Sequence, residues 1–356
     1  MSGSISGLTG GSYGLMQQLI ADASATSAKL NQLTTQSTTG YVAATYAGLD
    51  SATPGSAAGA LSLAPQIAGI NNTVTNLNAV AGQMQVQQST ITAISQIASS
   101  VLSQFQTVSA ETPQGALTSA SMARQALSQI GNLLNTQDGT SYIFSGQNSA
   151  VPPISNPNNI TSSTFYTNIQ SAVQNLASNP NAAAAVISSG ATTPPFTSPP
   201  GISPQPTQVA GAGGALITTG LVANANTLIP ASSGTTTTGS YMNDIMTSLA
   251  AIGSVTTAQT SSPNFAGFAA SMINTLSGAI NTMASDAGAL GNNQALIATQ
   301  STNLQQTATA LTTQLAGYDQ VNMTSTLANL SSTQTQLQAS YQLIAAMKTM
   351  SLTQYI

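Results

Sequence analysis

LAPQIAGINNTVTNLNAVAGQMQVQQSTITAISQIASSVLSQF, residues 63–105, carries a non-polar residue at every seventh position: Leu63, Ile70, Leu77, Met84, Ile91, Ala98 and Phe105. Ile67, Val74, Ala81 and Leu102 fall between them, so the seam reads 4-3-4-3, the period of a coiled coil. A stripe that repeats every 3.5 residues faces a partner continuously only if the helix wraps around it; on a lone straight helix it drifts. The stretch therefore predicts a helix of roughly 65 Å lying against another long helix. Gln88 and Ser95 interrupt the seam with neutral polar groups, which fix register at some loss of stability. The same chain supplies candidate partners on both flanks, which favours a bundle within one subunit over a dimeric zipper.

The best candidate partner lies near the C-terminus. Phe265, Phe268, Met272, Leu276 and Ile280 lead into a second sevenfold seam of Leu290, Ile297, Leu304, Leu311 and Tyr318. After Tyr318 the phase slips, and Met323, Leu330, Leu337 and Ile344 continue with Leu327 and Tyr341, followed by Leu352 near the end. A slip of phase means a kink, a bend or a change of partner. Leu63, Ile70, Leu77, Met84, Ile91, Phe105, Leu290, Ile297, Leu304, Leu311, Leu330, Leu337, Ile344 and Leu352 are thus the candidate helix-packing and assembly positions.

Around these seams the chain divides by composition. Residues 1–14 are Gly/Ser-rich and are expected to be disordered alone. Leu15, Leu19, Leu30 and Leu33 mark a helix to about Ser37 that stops near Gly40, followed by an irregular connection from Tyr41 to Gly59. Pro65 is tolerable in the first turn of the seam helix. A second connection, Glu111 to Gly115, precedes a helix to about Thr136; Asp138-Gly139 is a tight-turn signal and Tyr142-Ile143-Phe144 a short strand candidate. Most of the 15 prolines fall between Gln147 and Pro263, which breaks long helices and reads as short strands and loops, with one helix from Thr167 to Leu176. The expected fold is mainly α: an elongated coiled-coil bundle built from residues 15–146 and 264–356, with a β/loop-rich inserted domain at 147–263.

Only 3% of the residues are charged, so the surface must be clothed in Ser, Thr, Asn and Gln. Little like-charge repulsion then opposes self-association, and few ionisable groups leave stability nearly independent of pH. A net charge of -4 with only Lys29, Arg124 and Lys348 as cations excludes a nucleic-acid footprint and an anionic-membrane patch. No run reaches the length of a membrane span, and Met1 to Gly14 lacks the basic and apolar regions of a cleaved signal. With no His and no Cys, the usual general base and thiol nucleophile are missing. Asp22, Asp50, Glu111, Asp138, Asp244, Asp286 and Asp319 stand singly, in no metal-ligand spacing. The sequence therefore reads as a structural protein without catalytic, metal or cofactor site.

Two stretches resemble the flagellin superfamily, and within it the hook-filament junction group, the hook-associated protein 3 proteins. The first is Leu134-Asn135-Thr136-Gln137-Asp138-Gly139-Thr140-Ser141-Tyr142-Ile143-Phe144-Ser145-Gly146, followed by Pro152-Pro153. The second comprises Leu290-Gly291, the acidic Tyr318-Asp319-Gln320-Val321-Asn322-Met323, and Leu337-Gln338-Ala339-Ser340-Tyr341 with the closing Ser351-Leu352 to Tyr355-Ile356. Ser37-Thr38-Thr39-Gly40-Tyr41 lacks the charges usual in members, and an aspartate pair is reduced to Asp50. The resemblance covers residues 15–153 and 264–356. It implies an extracellular part of the bacterial flagellum, exported by the type III route without a cleaved signal peptide. Implied partners are copies of itself, a neighbouring hook-associated protein, flagellin and a cytoplasmic export chaperone. A filament flagellin is the alternative, and a secreted coiled-coil adhesin or type III translocator a more distant one.

Overall fold

The computed structural model describes residues 8–109, 113–197, 201–211, 214–231 and 233–353, with side chains left aside at 8–13, 108–109, 113 and 348–353. Ten α-helices and two small hairpins make up the described fold: α1 Leu8–Thr39, α2 Tyr46–Ala52, α3 Ser56–Ser109, α4 Pro113–Leu134, β1 Gln137–Asp138, β2 Ser141–Tyr142, α5 Thr164–Gln174, α6 Ala182–Thr192, β3 Gln208–Ala210, β4 Leu216–Thr218, α7 Tyr241–Gly253, α8 Thr257–Thr260, α9 Phe265–Asp319 and α10 Met323–Thr353. The fold is mainly α, as the two seams require. Contacts divide the chain into two units, Met1–Asn72 with Leu304–Ile356, and Thr73–Asn303.

In the unit of Thr73–Asn303, α3 and α9 run antiparallel. Ser301 Oγ donates to Asn78 Oδ1 at 2.9 Å and Gln294 Nε2 to the Ala81 carbonyl at 3.2 Å. Val74, Leu77, Met84, Ile91, Ala98 and Phe105 are buried, as are Leu290 and Ile297 opposite. From Met84 onward the interleaved buried positions are Gln87, Ile94 and Val101, one residue earlier than the strict repeat predicts; Gln88, Ser95 and Leu102 are only half-buried. Three consecutive steps of 4, 3 and 3 overwind the seam locally. The polar seam residue is therefore Gln87, and its amide is fully used. Nε2 donates to the Ile143 carbonyl, and Oε1 accepts the Leu221 N–H at 3.0 Å.

The strand candidate at Tyr142–Phe144 contributes less strand than expected. Ser141–Tyr142 pairs antiparallel with Gln137–Asp138 across Gly139-Thr140, and Gly139 takes φ +62°, the first central position of a II′ turn. Phe144 is buried, and its carbonyl accepts the Ala223 N–H at 2.9 Å. At Gly146, φ is also +62° and a Cβ would collide with the carbonyl oxygens of Ser203 and Gln205. Asn135 closes the same segment by exchanging two hydrogen bonds with the backbone of Ile154, at 2.7 and 2.9 Å.

Residues 147–263 are loop-rich as expected but hold more helix than strand. They hold α5, α6, α7 and α8 against one three-residue hairpin, β3 with β4, and they lie inside the larger unit. The prolines explain the difference by position: Pro180 precedes α6, Pro194 to Pro206 follow it, and none falls within α5, α6 or α7. Every residue of α7 is buried, with α4, α5 and α6 packed on it. Its polar members are mostly satisfied inside. Asn243 donates to the Gly190 carbonyl at 3.0 Å, and Asp244 accepts from the Thr237 hydroxyl at 2.6 Å and from the Thr238 N–H. Arg124 donates to the carbonyl of Gly253, where the α7 dipole is negative. On α9, fully buried Asp286 accepts three consecutive backbone N–H groups, from Thr227, Leu228 and Ile229, at 2.7 to 3.2 Å.

In the unit formed by the two ends, α1 begins at Leu8, inside the stretch expected to be disordered; residues 1–7 lie outside the described residues. Gly40, at φ +77°, ends α1 as anticipated. The connection after it is partly helical, because Thr45 caps α2 through the Gly48 N–H at 3.2 Å. Since α3 starts at Ser56, Pro65 lies in its third turn rather than its first. The carbonyl it leaves unbonded is that of Leu61, an exposed residue where water can take the vacant acceptor. The connection at Glu111 falls largely outside the described residues.

Two outcomes follow from this packing. Gln87→Ala strands a buried N–H and a buried carbonyl, and should lower stability by about 2–3 kcal/mol in urea unfolding. Burial pushes the Tyr241 hydroxyl well above its usual value, and the adjacent Asp286 carboxylate pushes it the same way. The unfolded chain then loses this proton first, so the stabilisation is whole below pH ~10 and is lost as pH rises through the folded value. Tyr241→Phe should flatten the fall of Tm above that pH.

Candidate assembly surface

The candidate surface is built from α1 and α10, which pack antiparallel. Where α1 and α9 end, the two breaks meet: Val42 N–H donates to the Asp319 carbonyl at 2.8 Å and Val321 N–H to the Gly40 carbonyl at 3.0 Å, around a bridge between Tyr41 and Gln320. Two adjacent helix ends thus satisfy each other's orphan backbone groups. The phase slip after Tyr318 is this break. Asp319 Oδ1 is buried there without a partner among the described residues. One residue earlier, the Tyr318 ring lies on Gly59, where a Cβ would come within 2.9 Å of it.

Beyond the break, the seam of α10 consists of Thr326, Leu330, Thr333, Leu337, Ser340, Ile344 and Met347, and every other residue of 323–347 is exposed. On α1 the matching positions are Leu19, Ala23, Thr26, Leu30, Leu33 and Ser37. Both run 4-3-4-3. Leu330, Leu337 and Ile344 fall where the sequence put them, but Leu327 and Tyr341 do not: they are 50% and 55% exposed, and the small Thr326 and Ser340 take the adjoining seam positions. A hydroxyl next to a methyl passes as polar in a sequence whose surface is also threonine, which hides it from a periodicity reading.

The other candidate positions divide between enclosed and half-covered. Leu63, Leu77, Met84, Ile91, Phe105, Leu290 and Ile297 are buried, and Ile70, Leu304 and Leu311 are half-buried. The side chain of Leu352 lies outside the described residues.

Directly beside the α1/α10 seam stand large exposed apolar side chains: Leu15, Ile20, Leu327, Tyr341 and Leu343, each between 50% and 57% exposed. In a two-stranded coiled coil these flanking positions are normally Glu and Lys. Apolar groups there leave roughly 4–8 kcal/mol of burial unrealised, at about 1.5–3 kcal/mol per fully buried side chain. A groove of about 600 Å³ between Ile20, Ala23, Ser27, Tyr341 and Ile344, and another of about 510 Å³ between Gln32, Gln36, Tyr41, Val42 and Gly48, open on the same unit. Such a surface accepts further helices. Among the described residues no group of three His, Cys, Asp or Glu comes together, and no described helix is long and apolar enough to cross a membrane.

Residues 273–356, covering most of α9 and all of α10, match the bacterial flagellin C-terminal helical region. No curated protein matches the chain. Among solved structures, the fold is similar to a putative flagellar hook-associated protein from Vibrio parahaemolyticus, with a TM-score of 0.54 and 12% identity over 75% of this chain and 99% of that one.

Replacing Leu327 and Tyr341 with Asp should leave monomer stability within about 0.5 kcal/mol, since neither side chain is enclosed. Self-association, followed by sedimentation, should fall by at least about tenfold. Unchanged association would remove this face from the assembly.

Proposed function

We propose that this chain is a structural protein of the bacterial flagellum, of the flagellin family, and that it serves at the junction of hook and filament. The match of residues 273–356 to the flagellin C-terminal helical region carries this reading. The fold shared with the putative hook-associated protein supports it. So do the exposed apolar residues beside the α1/α10 seam, which find burial when neighbouring subunits pack against them. The mechanism is mechanical: helices from both chain ends join the helices of adjacent subunits, and the seam positions, Leu352 included, contribute to that packing. Partners are copies of this chain, a neighbouring hook-associated protein and flagellin. A cytoplasmic chaperone shields the apolar ends before export by the type III route, without a cleaved signal peptide.

The family match equally favours a second reading, a filament flagellin, because it concerns the helical region that filament subunits carry. Immunogold electron microscopy of intact cells separates the two. Label at a single point between hook and filament is the expected result. Label along the filament would make the chain a bulk subunit, and flagella without label would refute both.

A further inference from the structure

The α1/α10 pair has two broad faces, one on each side of its seam. Ile20 and Ser27 directly follow the seam residues Leu19 and Thr26 and line, with Tyr341, the groove of about 600 Å³ on one face. Asp22, Lys29 and Gln36 directly precede the seam residues Ala23, Leu30 and Ser37. In a coiled coil these two kinds of position flank the seam on opposite sides. Leu15, Asp22, Lys29 and Gln36 therefore form one row, at sevenfold spacing, on the second face. The row holds the only two charges of α1, one of each sign, and α10 adds only Lys348, close to its end. Asp22 and Lys29 are both exposed, and neither side chain has a partner among the described residues. Seven residues, roughly 10.5 Å along the helix, hold them too far apart to pair with each other. At the ends of the row stand Leu15, 57% exposed, and Gln36, which borders the groove of about 510 Å³ with Thr39, Tyr41 and Val42.

Such a row is complementary to itself when reversed. A two-fold axis midway between Asp22 and Lys29 sets each carboxylate against the ammonium group of the other copy. The same axis sets each Leu15 on the other copy's Gln36, at the mouth of the apolar groove. A parallel copy in the same register would instead place Asp22 on Asp22 and Lys29 on Lys29. A contact in which residue i meets j while j meets i is isologous and closes at two copies. The face is also large enough for a stable contact: from Gly14 to Thr39 it runs roughly 40 Å, and two helices side by side are roughly 20 Å wide, so about 800 Å² meets the partner. We propose that two copies of this chain dimerise antiparallel through this face, with Asp22 of each on Lys29 of the other, independently of the flagellar role. Leu327 and Tyr341, which directly follow the seam residues Thr326 and Ser340, stand on the opposite face and stay uncovered.

Sedimentation equilibrium of the full-length chain and of variants at these exposed positions tests the pairing. A dimer with a Kd on the order of 10 μM is expected, and in Leu327→Asp/Tyr341→Asp association should stop at that dimer. Asp22→Lys or Lys29→Asp alone turns two attractions into two repulsions and should weaken the dimer by about tenfold. Both changes together should restore it to within about threefold. Because the chain has no cysteine, disulfide cross-linking reads the geometry directly. Asp22→Cys/Lys29→Cys should oxidise to a covalent dimer and no further, since the two positions of one chain exceed the roughly 7 Å reach of a disulfide. Neither single cysteine variant should cross-link. A chain still monomeric at about 500 μM, a dimer indifferent to single charge reversal, or a double reversal that fails to restore it would each overturn the proposal. So would cross-linking of Asp22→Cys alone, or a ladder of larger products from the double cysteine variant.

Discussion

An apolar stripe with a 3.5-residue period is buried only when a second helix follows it in register, and every long element of this protein answers that constraint. Along Thr73–Asn303 the stripe of α3 meets α9, with Ser301 on Asn78 and Gln294 on the Ala81 carbonyl marking the antiparallel alignment. Within the unit of the chain ends, α1 meets α10. The two pairs differ in how completely they answer. Met84, Ala98, Phe105, Leu290 and Ile297 are wholly enclosed, whereas most of the α1 and α10 seam residues remain partly open. A two-helix pair has only one covered side, and here its flanks are apolar as well. Under the proposed role, assembly with other subunits supplies what the pair lacks.

The second constraint is the near absence of charge. A protein with ten ionisable carboxylates, ammonium groups and guanidinium groups among 356 residues cannot tie its parts together with ion pairs. It uses neutral groups and single carboxylates against backbone instead. Gln87 spans from a helix to two loops, Asn135 locks the backbone of Ile154, and Asp286 gathers three N–H groups of one loop. Most of these bonds join neutral groups and all are at least partly buried, so ionic strength has little to screen. The protein's cohesion is correspondingly indifferent to salt.

Much of this architecture was legible in the sequence because period and punctuation are local properties. The seams at Leu63 to Phe105 and Leu290 to Tyr318, the stop at Gly40, the Asp138-Gly139 turn and the break after Tyr318 all announce themselves within a few residues. What escaped depends on tertiary context. The move of the seam from Gln88 to Gln87 is one residue, and it is set by the hydrogen-bond partners Ile143 and Leu221, 56 and 134 residues away. The enclosed helix Tyr241–Gly253 was obscured by surrounding Pro, Thr and Gly, although it contains none of the prolines. On α10, the seam residues Thr326 and Ser340 were indistinguishable from surface hydroxyl residues, so the larger Leu327 and Tyr341 beside them drew the assignment outward.

The pairing of α1 with α10 also places a condition on how the chain comes into being. These helices are neighbours in space, but Thr39 and Met323 stand 284 positions apart in the chain. At a typical ribosomal pace, α1 has emerged for roughly 15–60 s before its mate exists. Throughout that interval its Leu19, Leu30 and Leu33 have no native cover. The later helix is therefore the one that completes the earlier.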